Sequence, residues 1–187
     1  PRSGNSHFYN LVSIRSNNNI NIASHLHVNA QISHAIKLDK PIVVLIREPI
    51  DTILSLIIMF PKIELKTALS AYIDYYRHVC QHVEKITVID FKLITSSPDD
   101  ALNIINENYG LNLNTKKITR KEFYDLKRVM KRVCDSQDPN NPFFLGLPSS
   151  KKREKKEQLL KILNADINNN SRKLKSAERV YMKLTGK

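Results

Sequence analysis

The chain has 187 residues, 41% of them hydrophobic, and a formal net charge of +12. That length permits one sizeable core with a small helical appendage. The lack of any apolar run of about 18 to 20 residues excludes a bilayer-spanning helix, and the opening PRSGNSHF has neither the basic nor the apolar region of a secretory signal. A soluble, cytoplasmic protein is expected. Cys80 and Cys134 lie far apart without zinc-type spacing, so two buried thiols are expected rather than a disulfide or a metal pair, in keeping with a reducing compartment. The charge is uneven: residues 1–100 carry a balance of +1 and residues 101–187 one of +11. A basic second half suggests an anionic ligand such as a nucleotide, an acidic glycan or nucleic acid. The plainer reading is a solvated, lysine-rich helix face.

In chain order, SHFYNLVSI opens as a helix directly after PRSGN. NINIASHL (19–26 with its flanks) has strand composition and 28–38 is helix-like. PIVVLIR (41–47) is a continuous β-branched run of the kind found in parallel strands covered on both faces. A helix over 50–60 follows, started by Pro49 and Asp51, and ELKTALSAYIDYYRHVCQHV (64–83) has the period of a long amphipathic helix. ITVIDF (86–91) is a second β-rich run, and SPDDALNIINENYGL (97–111) carries a serine cap, a first-turn proline, early acids and a glycine stop. Short joins between alternating strands and helices argue for an α/β fold with a parallel sheet flanked by helices and right-handed crossovers. From about residue 119 the pattern is helical and basic, interrupted by the turn-rich DSQDPNNPFFLGLPSS (135–150).

Two stretches carry candidate chemistry. In open α/β sheets ligands bind beyond the carboxyl ends of the strands, and Arg47 stands at such an end with Ser55 two turns into the next helix. Both can reach one anion there; the competing reading pairs Arg47 with Asp51 and leaves Ser55 facing solvent. PRSGNS, just ahead of a helix, is a loop whose N–H groups and helix N-terminus can cradle a phosphate; the competing reading is a plain surface turn. It is not a Walker A loop, because the Gly-Lys-Ser/Thr ending is absent.

Taken together, PRSGNS and REPIDTILS resemble the loop Pro-Lys/Arg-Ser-Gly-Thr/Ser-Thr/Ser and the motif Arg-Asn/Asp-Pro-x-Asp-x-x-x-Ser of the sulfotransferase family. That family transfers a sulfuryl group from 3′-phosphoadenosine 5′-phosphosulfate (PAPS). VIDFKLITSSPDDALNIINENYGL is similar to the family's Tyr-Glu-Asp-Leu … Pro … Leu … Leu-Gly-Leu segment, and LPSSKKREKKEQLL to the basic, serine-led helix that closes over the nucleotide in bacterial-type members. The chain opens inside the first motif. The resemblance implies a P-loop nucleoside-triphosphate-hydrolase-like three-layer fold in a single domain, 1–187, with an α/β nucleotide-binding core (1–111) and a basic helical closing segment (112–187). It implies PAPS as co-substrate, no metal, and a hydroxyl-bearing acceptor, a glycan or small molecule, rather than a membrane or nucleic acid.

The resemblance also implies roles. Arg47 and Ser55 would hold the 3′-phosphate, with Lys152 and Arg153 adding a lid contact. Arg2 and the N–H groups of Ser3, Gly4, Asn5 and Ser6 would hold the 5′-phosphosulfate end. His7, where cytosolic members often carry tryptophan, is counted with them, and Asp51 would brace Arg47 or the helix start. Arg2 would stabilise charge on the leaving oxygen, and His25, in SHLH ahead of Arg47, would be the general base, with His27 behind it. His34, on a predicted helix, is expected to be structural. Two other classes share parts of this pattern. A P-loop kinase should show Gly-Lys-Ser/Thr and a magnesium-binding aspartate after a strand, for which Asp90 is the lone candidate. A basic nucleic-acid module would account for the second half, but Phe123, Tyr124, Phe143, Phe144 and Tyr181 follow no known binding pattern.

Overall fold

The computed structural model describes residues 4–16, 20–23, 28–137 and 150–187, with the side chains of residues 130 and 133–137 outside the description. Two strands, β1 (Val43–Ile46) and β2 (Thr87–Asp90), pair in parallel with Val43 opposite Thr87 and Ile46 opposite Asp90. Both carboxyl ends therefore lie side by side. Before β1 come α1 (Asn5–Arg15) and α2 (Asn29–Lys37), and between the strands α3 (Pro49–Met59) and α4 (Leu65–Gln81). After β2 follow α5 (Phe91–Ser96), α6 (Pro98–Tyr109), α7 (Arg120–Gln137), α8 (Ser150–Ile162), α9 (Asn164–Asn169) and α10 (Ser171–Thr185). The protein is mostly helical around a small parallel sheet.

Local signals explain most of these elements. Pro49 sits in the first turn of α3 and Asp51 places negative charge near its N-terminus. Helix α6 begins with Pro98, Asp99 and Asp100 and stops at Gly110, whose positive φ of 61° suits glycine. The expected serine cap is absent there, because the Ser97 side chain makes no capping bond. Asp90 instead caps α5, accepting from the Lys92 N–H at 2.9 Å. Helix α7 opens on a reciprocal capping box between Thr119 and Glu122.

The strand pleat divides the core. Ile42, Val44 and Ile46 join one apolar cluster with residues of α2, α3, α4 and α10, while Leu45 joins a second with residues of α1, α5, α6 and α7. Helices thus cover both faces, as the uninterrupted apolar run of β1 requires. The larger three-layer, P-loop-type sheet is not seen: among the described residues the sheet has two strands. The expected strand over 19–26 is also corrected in its described part. Ile20 and Ile22 are half-buried and Asn21 and Ala23 exposed, an alternation suited to a strand, but among the described residues, 20–23 join no sheet.

One reason for the small sheet is visible along the outer edge of β1. Ile42 turns its carbonyl toward β2, accepting from the Thr87 N–H at 2.9 Å, so by the strand alternation the Leu45 and Arg47 carbonyls face the opposite edge. Tyr76 donates to the Leu45 carbonyl at 2.7 Å and Tyr72 to the Arg47 carbonyl at 2.8 Å. Four residues of helix rise about 6 Å and two residues of parallel strand about 6.6 Å. The i, i+4 tyrosines of α4 therefore match successive outward carbonyls and close the edge with side chains. At the amino end, the Tyr109 hydroxyl accepts from the N–H groups of Ile42 and Thr87, each at 3.1 Å, and clips the strands together.

Tyr76→Phe keeps the buried ring and leaves the Leu45 carbonyl without its donor. It is expected to lower stability by about 1–3 kcal/mol. Denaturant unfolding should show this with an unchanged m-value, whereas a change within a few tenths of a kcal/mol would show that water reaches this edge.

Candidate functional site

The carboxyl ends of β1 and β2 collect the basic, aromatic and acidic side chains that most concern function. Arg47 leaves β1 with its backbone fixed: its carbonyl accepts from Tyr72 and, at 3.3 Å, from the Thr52 hydroxyl. Phe91 leaves β2 in the neighbouring register, and the Arg47 guanidinium lies 4.4 Å from its ring centroid. Such stacking suits a planar, weakly hydrated cation. Gly4, immediately before α1, reaches the same ring. It has φ 87°, and a Cβ built on it would lie 2.7 Å from Phe91 Cδ2 and Cε2. The start of α1 and the end of β1 thus converge on one phenyl ring, and only glycine permits the approach.

Charge around Arg47 is unbalanced. Its guanidinium bonds Asp51 at 3.0 Å, and Lys156 of α8 bonds the other Asp51 oxygen, also at 3.0 Å. Burial alone raises the Asp51 pKa, but the hydrogen bond and charge of Lys156, and then those of Arg47, outweigh it and hold the carboxyl below its ordinary value. The Lys156 ammonium is pushed down, first by burial and then by repulsion from Arg47, and Asp51 does not fully restore it. The two directions fit one picture: two cations share one carboxylate, leaving an excess of one positive charge in a partly buried place. Arg47 Nε adds a buried donor with no hydrogen-bond partner among the described residues.

Asp90, on the neighbouring strand end, engages both of its oxygens. One oxygen caps α5, and the other accepts from Tyr181 and from Lys187, each at 2.7 Å. Burial raises its pKa, but the bonds from Lys187, the Lys92 N–H and Tyr181 lower it further, so it stays ionised. Lys92 and Glu48 form an exposed pair at the rim, 2.6 Å apart.

The residues singled out from sequence fare differently. Arg47 and Asp51 meet as the competing reading expects, and Arg47 also stacks on Phe91. Ser55 is half-buried, one turn beyond Asp51 on the same face of α3. Gly4 precedes the first turn of α1, formed by Asn5, Ser6 and His7, and burial pushes the His7 imidazole down toward its neutral form. Lys152 is half-buried and Arg153 exposed on α8. The residue of α8 that reaches Asp51 is Lys156, one turn after Lys152 and on its face; the i, i+4 spacing was the available signal. Phe91, Tyr181 and Lys187 carry no sequence signal for the contacts they make at the strand ends, where the fold brings them. Arg2, Ser3, His25 and His27 lie outside the described residues. His34 is exposed on α2, and Cys80 is a free, half-buried thiol, while the Cys134 side chain lies outside the description. No helix among the described residues is long and apolar enough to cross a membrane.

Comparison of the chain with protein-family models, with curated proteins and with solved structures gives no match.

The contact of Gly4 with Phe91 predicts a coupled pair. Gly4→Ala is expected to destabilise the protein by about 1–2 kcal/mol from its left-handed backbone alone, with a further loss from the ring clash. In a double-mutant cycle with Phe91→Ala, the clash component should disappear and the backbone component persist. Strict additivity of the two substitutions would remove the packing of Gly4 on Phe91.

Proposed function

We propose that the chain is a sulfotransferase that binds PAPS at the carboxyl ends of β1 and β2 and transfers its sulfuryl group to a hydroxyl acceptor. The observation that carries this reading is the convergence of Gly4, from PRSGNS, and Arg47, from REPIDTILS, on the Phe91 ring. The two stretches that resemble one family's phosphate-binding motifs thereby approach each other beyond two parallel strands, where α/β sheets bind ligands.

In this reading Arg47 and Ser55 receive the 3′-phosphate. Lys156 joins them, and the phosphate offsets the excess positive charge around Asp51. Lys152 and Arg153 approach from the same helix. Arg2 and the first N–H groups of α1 hold the 5′-phosphosulfate. The acceptor oxygen attacks sulfur in line, the bond from sulfur to the 5′-phosphate oxygen breaks, and 3′-phosphoadenosine 5′-phosphate (PAP) leaves. Arg2 stabilises the charge that grows on that oxygen, and His25 takes the acceptor proton. Asp90, the lone aspartate candidate of the kinase alternative, already accepts from the Lys92 N–H, Tyr181 and Lys187.

Titration with PAP, adenosine 5′-phosphate, ATP and a short oligonucleotide tests the reading. PAP at about 100 times its dissociation constant should stabilise the fold by about 2.7 kcal/mol. Arg47→Ala should erase most of that gain, and equal stabilisation by adenosine 5′-phosphate would remove Arg47 and Ser55 from the site. With labelled PAPS and a panel of sugar and phenolic alcohols, His25→Ala should lower turnover by about 10² to 10⁴-fold with PAP affinity unchanged. Normal turnover of that variant would take the base role from His25.

A further inference from the structure

A second basic cleft lies between α4 and α10, built from residues that the nucleotide reading does not use. It has a volume of about 320 Å³ and is lined by Ser70, Asp74 and Arg77 of α4 and by Arg172, Lys173 and Ser176 of α10. The helices cross-link through it: Lys173 Nζ donates to Ser70 Oγ at 2.6 Å, and Arg77 donates to Ser176 Oγ at 3.0 Å. Both cations thus spend a hydrogen bond on a neutral hydroxyl. Among the described residues none of Arg77, Arg172 and Lys173 is ion-paired. Asp74 is the single carboxylate on the lining.

This arrangement is poor for stability alone. Arg172 and Lys173 occupy the first turn of a 15-residue helix, where the backbone dipole disfavours cations. Their charges, with that of Arg77, exceed Asp74 by two. A hydroxyl that accepts from a cation still has its own proton to donate. The cleft therefore offers three cationic groups and two further O–H donors within one volume. A carboxylate, with two oxygens, answers only part of that set. A tetrahedral phosphate or sulfate group has the additional acceptor oxygens, and arginine engages such groups through paired N–H donors.

We propose that the cleft between α4 and α10 is an anion site that takes a phosphate or sulfate group carried on a small molecule, independently of the nucleotide site. Glucose 6-phosphate and glucose 6-sulfate, with glucose as the neutral control, are titrated into the full chain by calorimetry. The two esters separate phosphate from sulfate as the source of the anion. At least one ester should bind, glucose should not, and added salt should weaken the binding. Arg77→Gln combined with Lys173→Gln should weaken it about tenfold or more. Arg47→Ala should leave it unchanged, which separates this site from that at the strand ends. Arg172 is exposed and makes no cross-helix bond in the described structure, so Arg172→Gln keeps the fold and should weaken the ester about threefold; it decides the matter should the double variant unfold. Binding by glucose equal to that of the esters, undiminished binding in folded Arg172→Gln and double variants, or loss of binding in Arg47→Ala would each overturn the proposal.

Discussion

The pairing of β1 with β2, and the sealing of its outer edge by Tyr72 and Tyr76, is the constraint on which the site depends. A two-stranded ribbon is marginal in water, and one with an open edge invites further strands. Here the edge carbonyls of Leu45 and Arg47 are taken by hydroxyls of α4, and Tyr109 ties the amino ends. The consequence reaches the candidate site directly. Because the Arg47 carbonyl is held by Tyr72 and Thr52, its guanidinium projects from a fixed backbone onto Phe91, which leaves β2 in register beside it. Only a residue without a Cβ can then bring the start of α1 against that ring.

The two aspartates near the strand ends show how position decides role. Asp90 sits on the strand end itself, and its two oxygens are taken by a helix cap, a tyrosine and a lysine, so it binds α5 and α10 to the sheet. Asp51, in the first turn of α3, is shared by Arg47 and Lys156 from different elements. One carboxylate between two cations holds them together without neutralising them. An anion arriving there meets attraction that the resting protein has not already satisfied. α10 contributes more than a basic surface: Ala177 and Tyr181 are buried in the same apolar cluster as Val44 and Ile46. The second half of the chain is therefore part of the core as well as the main source of charge.

Much of this was legible in the sequence where the signal is local. The β-branched run before Arg47 and the ITVID run gave the two strands, and the proline, acid and glycine signals gave α3 and α6. The bond from Arg47 to Asp51 follows from their spacing on adjoining strand and helix. What escaped depended on tertiary partners. Ile20 and Ile22 alternate in exposure as a strand would, but a strand also needs a neighbour, and periodicity cannot supply one. The parallel sheet was expected to be larger because nothing in YIDYY announces that two of its tyrosine hydroxyls would occupy the edge of β1. Within the run of similar cations that holds Lys152, Arg153 and Lys156, only docking of α8 on α3 selects the face. The packing of Phe91 between motifs distant in sequence was likewise invisible before folding.

The central claim is that the Arg47, Phe91 and Gly4 constellation forms the floor of a nucleotide site. Crystals of the full chain grown with PAP test it most directly. The account predicts density for the 3′-phosphate within hydrogen-bond distance of Arg47 and Ser55, and for the 5′-phosphate at the first turn of α1. PAP bound elsewhere on the molecule, with Arg47 still held only by Asp51 and Phe91, would contradict it.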